Sequence, residues 1–532
     1  MSTNRFTLWL TLYFLLVLNI PLTLQLYKII STTESELAVG FILSLPLFFG
    51  SLFYLLFSFI SVRWLLKPLS ILLVLISSMI TYAMYSYGTL FDYSMMQNVF
   101  ETNYGEASAY LNLSAAGSFL LLGVLPAALI ARTKIVYKDP LKELLHKGGA
   151  VLASIAVIGV VAVLYFKDYS AFGRNNSYLN KMIIPVEYVA ATVKYINRNV
   201  LAEPLKYESL GEDAQLVASA KPRLTVLILG ETARAQSFQL NGYPRATNPY
   251  TSQLGIVAVQ GVTSCGTATA LSVPCMFARM DQQSFDGRKA RFQDGLMDVF
   301  VHADINTLWL DDDGGCKGVC DRVETWNYVQ GYDSEYCTSE FCDDHILLRE
   351  LDKAIASRGA GDVLIALHTN GSHGPTYFER YDDKFRAFTP DCQRSDIQNC
   401  TTEEIINTYD NTIVHTDNLI AETIKKVRDH YPQYASRVVY ISDHGESLGE
   451  NGVYLHGMPY TIAPEQQTQV PWLLWFSDVA QKELAIDVSC LQARAEQGGY
   501  SHDNLFDTML SITGVETSIY QPDLDLLSGC RG

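Results

Sequence analysis

At 532 residues and a formal net charge of −17, the chain is too long for one hydrophobic core and too acidic for a large nucleic-acid footprint. Its mean hydropathy of +0.10 averages two unlike parts: residues 1–200 carry a net +5 and residues 201–532 a net −22. An acidic soluble part repels phosphorylated ligands at long range, so any phosphate site there needs its own cations.

Five apolar stretches, at roughly 6–26, 38–60, 68–85, 113–131 and 149–166, are long enough to cross about 30 Å of hydrocarbon. The first has no clear small-residue cleavage site and four more follow, which argues against a cleaved signal peptide. Arg5, then Arg63 and Lys67, then Arg132, Lys134, Lys138, Lys142 and Lys147 fall on alternate connections, which are therefore cytoplasmic. The connections holding Glu34 and Glu36, and Asp92, Glu101 and Glu106, face outside, as does everything after 166. Within the latter connection Asn98, Thr102 and Glu106 recur every four residues and on a helix would share one polar face. A solvated face is the plain account of that spacing; a seat for a lipid head-group amine is the sharper one. The expected organisation is a transmembrane domain over 1–166, an amphipathic linker at the membrane surface over 167–205, and a soluble domain over 206–532. The linker mixes Tyr169, Phe172, Tyr178, Tyr188 and Tyr195 with Lys181, Lys194 and Arg198.

From 222 to 475 strand-like and helix-like runs alternate, with strands expected at 223–229, 306–310, 362–368, 437–442 and 471–476 and helices at 345–358 and 403–430. That alternation predicts a mostly parallel sheet covered on both faces. Gly230-Glu231-Thr232-Ala233-Arg234 and Ser442-Asp443-His444-Gly445-Glu446 each follow a strand directly. Ligands bind at the carboxyl ends of strands in such sheets, so Glu231, Asp443 and His444 are expected to converge as oxygen and nitrogen donors for a metal, zinc by donor type. In Ser264–Cys275 a helix start is expected near Thr269, and helix starts favour anions. Thr263, Ser264, Thr267, Thr269 and Ser272 are all candidate nucleophiles there, and helix capping explains the same residues equally well. His373 and His456 stand in Gly-Pro-rich turns, where zinc ligation, phosphate binding and acid duty all remain open. His368 ends an apolar strand and reads as structural, while His302, His345, His415, His430 and His502 have no special context. Lys317 lies between Cys316 and Cys320, where a pinned ammonium could meet a phosphate.

All ten cysteines fall after residue 264, clustered in close pairs, with no C-x₂-C zinc-ribbon spacing. This predicts disulfides in an oxidising compartment, paired by neighbours as Cys265–Cys275, Cys316–Cys320, Cys337–Cys342, Cys392–Cys400 and Cys490–Cys530.

Together these segments give a resemblance. GETARAQSFQLNGYPRATNP from 230, SCGTATALSVPCMF from 264, CKGVCDR from 316, NGSHGP from 370 and SDHGESLGENGVYLHGMP from 442 make the chain resemble the membrane-anchored phosphoethanolamine–lipid A transferases, which include the mobile colistin-resistance enzymes. The resemblance covers essentially the full length. It implies an N-terminal all-α five-helix transmembrane domain followed by a C-terminal α/β alkaline-phosphatase/sulfatase-like domain in the periplasm, anchored in a bacterial inner membrane. It implies that zinc is held by Glu231, Thr269, Asp443 and His444, with one ion tightly bound and a second during turnover left open. Thr269 would be the nucleophile, His373 and His456 would bind the transferred group or a second zinc with Glu446 nearby, and Lys317 would contact phosphate. Asn98, Thr102 and Glu106 match positions that in relatives help to hold the donor. One departure stands out: some mobile relatives carry Asn-Ser where this chain has Asp313 and Gly314.

The implied activity moves phosphoethanolamine from phosphatidylethanolamine to a lipid A phosphate through a phosphothreonine, lowering outer-membrane negative charge and giving polymyxin resistance. The partners expected are phosphatidylethanolamine, lipid A and membrane lipids, with no nucleic acid, and the chain is expected to be a monomer. Rival readings are transfer to core sugar or another periplasmic glycan, a phosphodiesterase on the same fold, and a zinc-stabilised membrane sensor without turnover. A sulfatase is disfavoured because the loop at 264–275 lacks a C/S-x-P-x-R arrangement.

Overall fold

A computed structural model describes residues 1–32, 39–102, 104–328, 335–337 and 342–531. The chain divides into two compact units, one of Met1–Met96 with Leu111–Lys194 and one of Gln97–Tyr110 with Tyr195–Gly532. The expected outside connection at Glu34 and Glu36 lies outside the described residues.

In the first unit, four helices among the described residues are long and apolar enough to cross a membrane: Val39–Ile60, Leu66–Tyr87, Leu113–Arg132 and Pro140–Asn175. The stretch expected as one span at 6–26 is instead a bent pair, Thr3–Leu18 and Ile20–Thr32, turned by 58°. Asn19 sits at the bend with φ −100° and ψ 25°. Its buried amide donates to Phe14 O (2.9 Å) and Ile184 O (2.7 Å) and accepts from Ile184 N (3.0 Å). A side chain that replaces backbone partners permits such a break in an apolar setting. The last apolar helix runs to Asn175, past the expected end at 166, and leaves helical geometry at Tyr165. The expected linker contains the 3-10 turn Ser177–Met182 and the helix Val186–Tyr195. The basic connections gather at one end: Lys67 Nζ donates to Ala131 O (2.9 Å), Lys147 Nζ to Ser61 O, and the terminal amine of Met1 to Lys134 O (2.8 Å).

The second unit is built on seven strands: β1 Arg223–Gly230, β2 Val257–Thr263, β3 Asn306–Asp311, β4 Glu324–Asn327, β5 Val363–His368, β6 Ala435–Ser442 and β7 Gln469–Phe476. Their order across the sheet is β2-β7-β6-β1-β5-β3-β4. β6, β1, β5, β3 and β4 run parallel, whereas β7 is antiparallel to both β6 and β2. Every residue of β1, β5 and β6 is buried, as expected of parallel strands covered on two faces. One face packs Leu227, Phe277, Phe300, Trp309, Trp472 and Met509 into the core. The long helix Thr402–His430, opened by a Thr401/Glu404 capping box, is apolar along one side and polar along the other. The ten cysteines form the five neighbour pairs.

Candidate active site

β1 and β6 are parallel neighbours in a register that sets Gly230 opposite Ser442. The next residues, Glu231 and Asp443, therefore leave the sheet side by side at its carboxyl end, and His444 follows. Thr232 takes a left-handed φ of +60°, which lets its N–H donate to Asp443 Oδ1 (3.1 Å) while its hydroxyl donates to Glu231 Oε1. Thr269 is the first residue of the helix Thr269–Met276, closed beneath by Cys265–Cys275. Its Oγ1 lies 3.1 Å from Glu231 Oε2 and 3.4 Å from His444 Nε2. His444 Nε2 is also 3.4 Å from Glu231 Oε1 and from Asp443 Oδ2. Of the nucleophile candidates, Ser272 instead gives its hydroxyl to Asp443 O and Thr267 gives its own to Met458 O.

This arrangement fits a metal ion. Glu231, Asp443 and His444 are fully buried and converge, and Asp443 Oδ2 has no hydrogen-bond partner among the described residues. Burial, then the carboxylate of Glu231, pushes the Asp443 carboxyl well above its usual range, while the two acids overcome burial and raise His444 to about 10. Two buried carboxylates facing one imidazole call for a cation, and two carboxylates, an imidazole and a hydroxyl form a four-ligand set that suits zinc.

Around this centre stand two further histidines. The His456 ring lies 4.6 Å from that of His444 and 5.1 Å from that of His373, centroid to centroid. Glu446, fully buried, accepts from Tyr377 Oη and pairs with His456 Nδ1 at 2.9 Å. Glu446 therefore acts through His456, holding that ring by its Nδ1. Burial, then His456, lowers His373 to about 3, so its ring is neutral, and its buried Nδ1 has no hydrogen-bond partner among the described residues. Lys317 holds a left-handed φ of +52° inside the Cys316–Cys320 loop. Burial would lower its ammonium, but Asp313, Glu106 and Glu231 hold it above its usual value. His368, fully buried, sets Nδ1 2.9 Å from Asp311 Oδ2 and Nε2 3.5 Å from Asp313 Oδ2.

The segment carrying Asn98, Thr102 and Glu106 belongs to the same compact unit as this centre. It is not the single helix its four-residue spacing suggests: helices Tyr93–Glu101 and Tyr104–Ala109 are separated at Thr102. The three residues therefore do not share one helical face. Thr102 hydrogen-bonds the Glu106 carboxylate, which burial raises despite the counter-pull of Lys317. Gln97 Nε2 donates to Ala270 O (3.2 Å), beside Thr269, and Glu101 pairs with Arg291.

Sequence reasoning passed over His502. The structure buries it fully, with Nδ1 accepting from Cys265 N (3.0 Å) and Nε2 donating to Ser442 O (2.9 Å). It thus bridges the nucleophile loop and the strand end that bears Asp443. The available signal was local: Ser501 and Asn504 form a capping box around it, ahead of the apolar helix Leu505–Thr513. A His502→Leu variant strands a buried N–H and a buried carbonyl. We expect it to lose roughly 2–4 kcal/mol of stability in denaturant unfolding; an unchanged midpoint would remove the bridge from the account.

A mostly parallel sheet with carboxylates, histidines and a helix-start hydroxyl at its carboxyl edge, joined to several apolar helices, defines a membrane-anchored enzyme of the sulfatase type. The sulfatase family matches residues 223–515, and the N-terminal family described as phosphoethanolamine transferase EptA/EptB matches residues 49–200. Phosphoethanolamine transferase EptA of Escherichia coli K12 is 41% identical over 98% of this chain and 96% of its own. The integral membrane lipooligosaccharide phosphoethanolamine transferase A of Neisseria meningitidis superposes with a TM-score of 0.93 at 35% identity, covering 100% of this chain and 99% of that one. The C-terminal periplasmic domain of EptC from Campylobacter jejuni gives 0.54 at 39% identity, covering 61% of this chain and 99% of that one. The chain belongs to the phosphoethanolamine transferase family. It is a transferase and a multi-pass membrane protein whose sulfatase-like domain is periplasmic.

Proposed function

We propose that the protein transfers phosphoethanolamine from phosphatidylethanolamine to a phosphate of lipid A, with Thr269 carrying the group between them. The observation that carries this reading is the Thr269 hydroxyl, held 3.1 Å from Glu231 and 3.4 Å from His444 at the start of a helix. Glu231, Thr269, Asp443 and His444 would hold one zinc ion, which when bound acidifies that hydroxyl and offsets charge on the phosphoryl oxygens.

Thr269 Oγ1 attacks the donor phosphorus. A new O–P bond forms as the bond to the diacylglycerol oxygen breaks, and the Thr269 proton passes to Glu231 Oε2, its hydrogen-bond partner. The departing oxygen leaves as an alcohol by taking a proton from His456, whose ring Glu446 orients. A lipid A phosphate hydroxyl then attacks the phosphothreonine, giving its proton to the His456 ring left bare by the first step, and the Thr269 oxygen leaves with the proton held on Glu231 Oε2. Lys317 contacts the phosphoryl oxygens, His373 binds the transferred group, and Asn98, Thr102 and Glu106 receive the ethanolamine ammonium. Residues 1–166 would hold the chain in the inner membrane and 167–205 lie on its surface, so that residues 206–532 meet two lipid substrates at the bilayer. Each transfer adds an ammonium to lipid A, which weakens the attraction of cationic polymyxins.

The test is mass spectrometry of lipid A from a polymyxin-sensitive Gram-negative host expressing the chain. A gain of one phosphoethanolamine unit is expected. Unmodified lipid A with folded protein in the membrane would redirect the assignment to another acceptor or to hydrolysis.

A further inference from the structure

A second cluster of metal-binding side chains lies on helices rather than at the strand ends. Asp343 lies two residues before the helix His345–Ser357, and His415 lies midway along Thr402–His430. His345 Nδ1 stands 2.9 Å from Asp343 Oδ1 and 3.1 Å from His415 Nε2, and His415 Nε2 is 3.1 Å from Asp343 Oδ1. Three ligand atoms thus form a nearly equilateral triangle. Bonds of 2.0–2.1 Å to a tetrahedral zinc ion set ligand separations of about 3.3 Å. His345 Nε2 lies 3.0 Å from Asn418 Oδ1, an outward partner of the kind that fixes a ligating histidine and leaves the other nitrogen bare. Asp343 Oδ1 already accepts the backbone N–H of His345 (2.8 Å). A bare imidazole nitrogen facing a carboxylate oxygen and a second imidazole nitrogen repels both unless a cation or a shared proton lies between them. Phe385 walls the cluster, stacking on His345 at 5.6 Å and meeting His415 edge-on at 4.9 Å. His345 and His415 are buried, while the Asp343 side chain keeps 24% of its surface exposed, so the cluster is reached from solvent on the Asp343 side.

We infer that Asp343, His345 and His415 bind a divalent metal ion of the zinc class, separate from the ion expected at Glu231, Asp443 and His444. The three residues do not belong to the reacting centre, but the next residue reaches toward it. Asp344 accepts from Asn370 N (2.7 Å) and Gly371 N (3.0 Å), in the turn that carries His373. An ion here pins two helices to one another and, through Asp344, holds that turn. Its role is to brace the site, not to take part in the transfer.

The test uses the full-length protein in detergent, loaded with zinc, freed of excess ion and assayed for zinc per chain by elemental analysis. Two ions are expected for the native chain, one for His415→Gln, one for Asp443→Asn, and none for the double variant. The His415→Gln chain is also expected to lose the part of the zinc-induced rise in melting temperature that the Asp443→Asn chain keeps. Equal zinc content in the native and His415→Gln chains would overturn the inference and leave a proton-sharing ion cluster. Where a variant does not fold, zinc-edge anomalous diffraction from the native protein decides: a peak among the three side chains supports the site, and an active-site peak alone overturns it.

Discussion

Replacing Thr269 with Ala is expected to abolish transfer, by at least about 10⁴-fold, while leaving a folded chain that still binds zinc. The side chain contributes one hydroxyl, hydrogen-bonded at 3.1 Å to Glu231, in a residue that opens a helix whose preceding position is already Ala268. Alanine suits that helix, so the stability change should stay within about 1 kcal/mol. Glu231, Asp443 and His444 remain to hold the ion. Supplied with labelled phosphatidylethanolamine and no acceptor, the native chain should acquire phosphoethanolamine on the peptide containing Thr269, and the Ala variant should not. Thr269→Ser keeps an oxygen at the same position and should recover part of the rate. Full lipid A modification by the Ala variant would end the assignment of Thr269 as the carrier.

The placement of this centre was legible because it depends on short-range rules. Apolar runs mark β1 and β6, parallel strands expose ligands at their carboxyl ends, and the residues that follow are Glu231, Asp443 and His444. Neighbouring cysteines were legible for the same reason. The edge strand β2 was not: it carries Gln260 and Gly261 and is only partly buried, so its apolar signal is interrupted. The bend at Asn19 was hidden because one polar residue in an apolar run does not announce that it will bond Ile184, 165 residues away. Four-residue spacing at Asn98, Thr102 and Glu106 suggested a helical face, but spacing does not report that the helix stops before Thr102. His345 and His415 had no local context, and the cap around His502 does not say what its ring will bond, because what gives all three meaning is topological. His345 and His415 meet only when two helices pack, and His502 meets Cys265 across 237 residues of chain. Long-range pairing of polar side chains is the part of a fold that periodicity cannot encode.

The same long-range closeness makes Gly371→Ala a severe substitution. Gly371 lies two residues before His373 with a left-handed φ of +53°. A Cβ there would stand 2.5 Å from Glu231 O and 3.0 Å from Glu231 N, both backbone atoms. Ser372 N donates to that same Glu231 O at 3.0 Å, and Gly371 N is held by Asp344, so neither strand of the contact can swing away alone. Relief must come from moving the Glu231 backbone, and with it the carboxylate that meets Thr269. Overpacking costs roughly 1–3 kcal/mol and the left-handed backbone about another 1. A shift of about 1 Å at a reacting centre removes about 10²-fold in rate. We therefore expect Gly371→Ala to lower both zinc affinity and transfer rate, measured per folded molecule by zinc titration and lipid A modification. Gly255→Ala is the control: φ is +70° and, among the described residues, nothing lies within 4 Å of the added Cβ, so it bears the backbone strain without the collision. Its activity should match the native chain. Equal losses in the two variants would show that strain alone is responsible, and that the approach of the His373 turn to Glu231 does not set the geometry of the site.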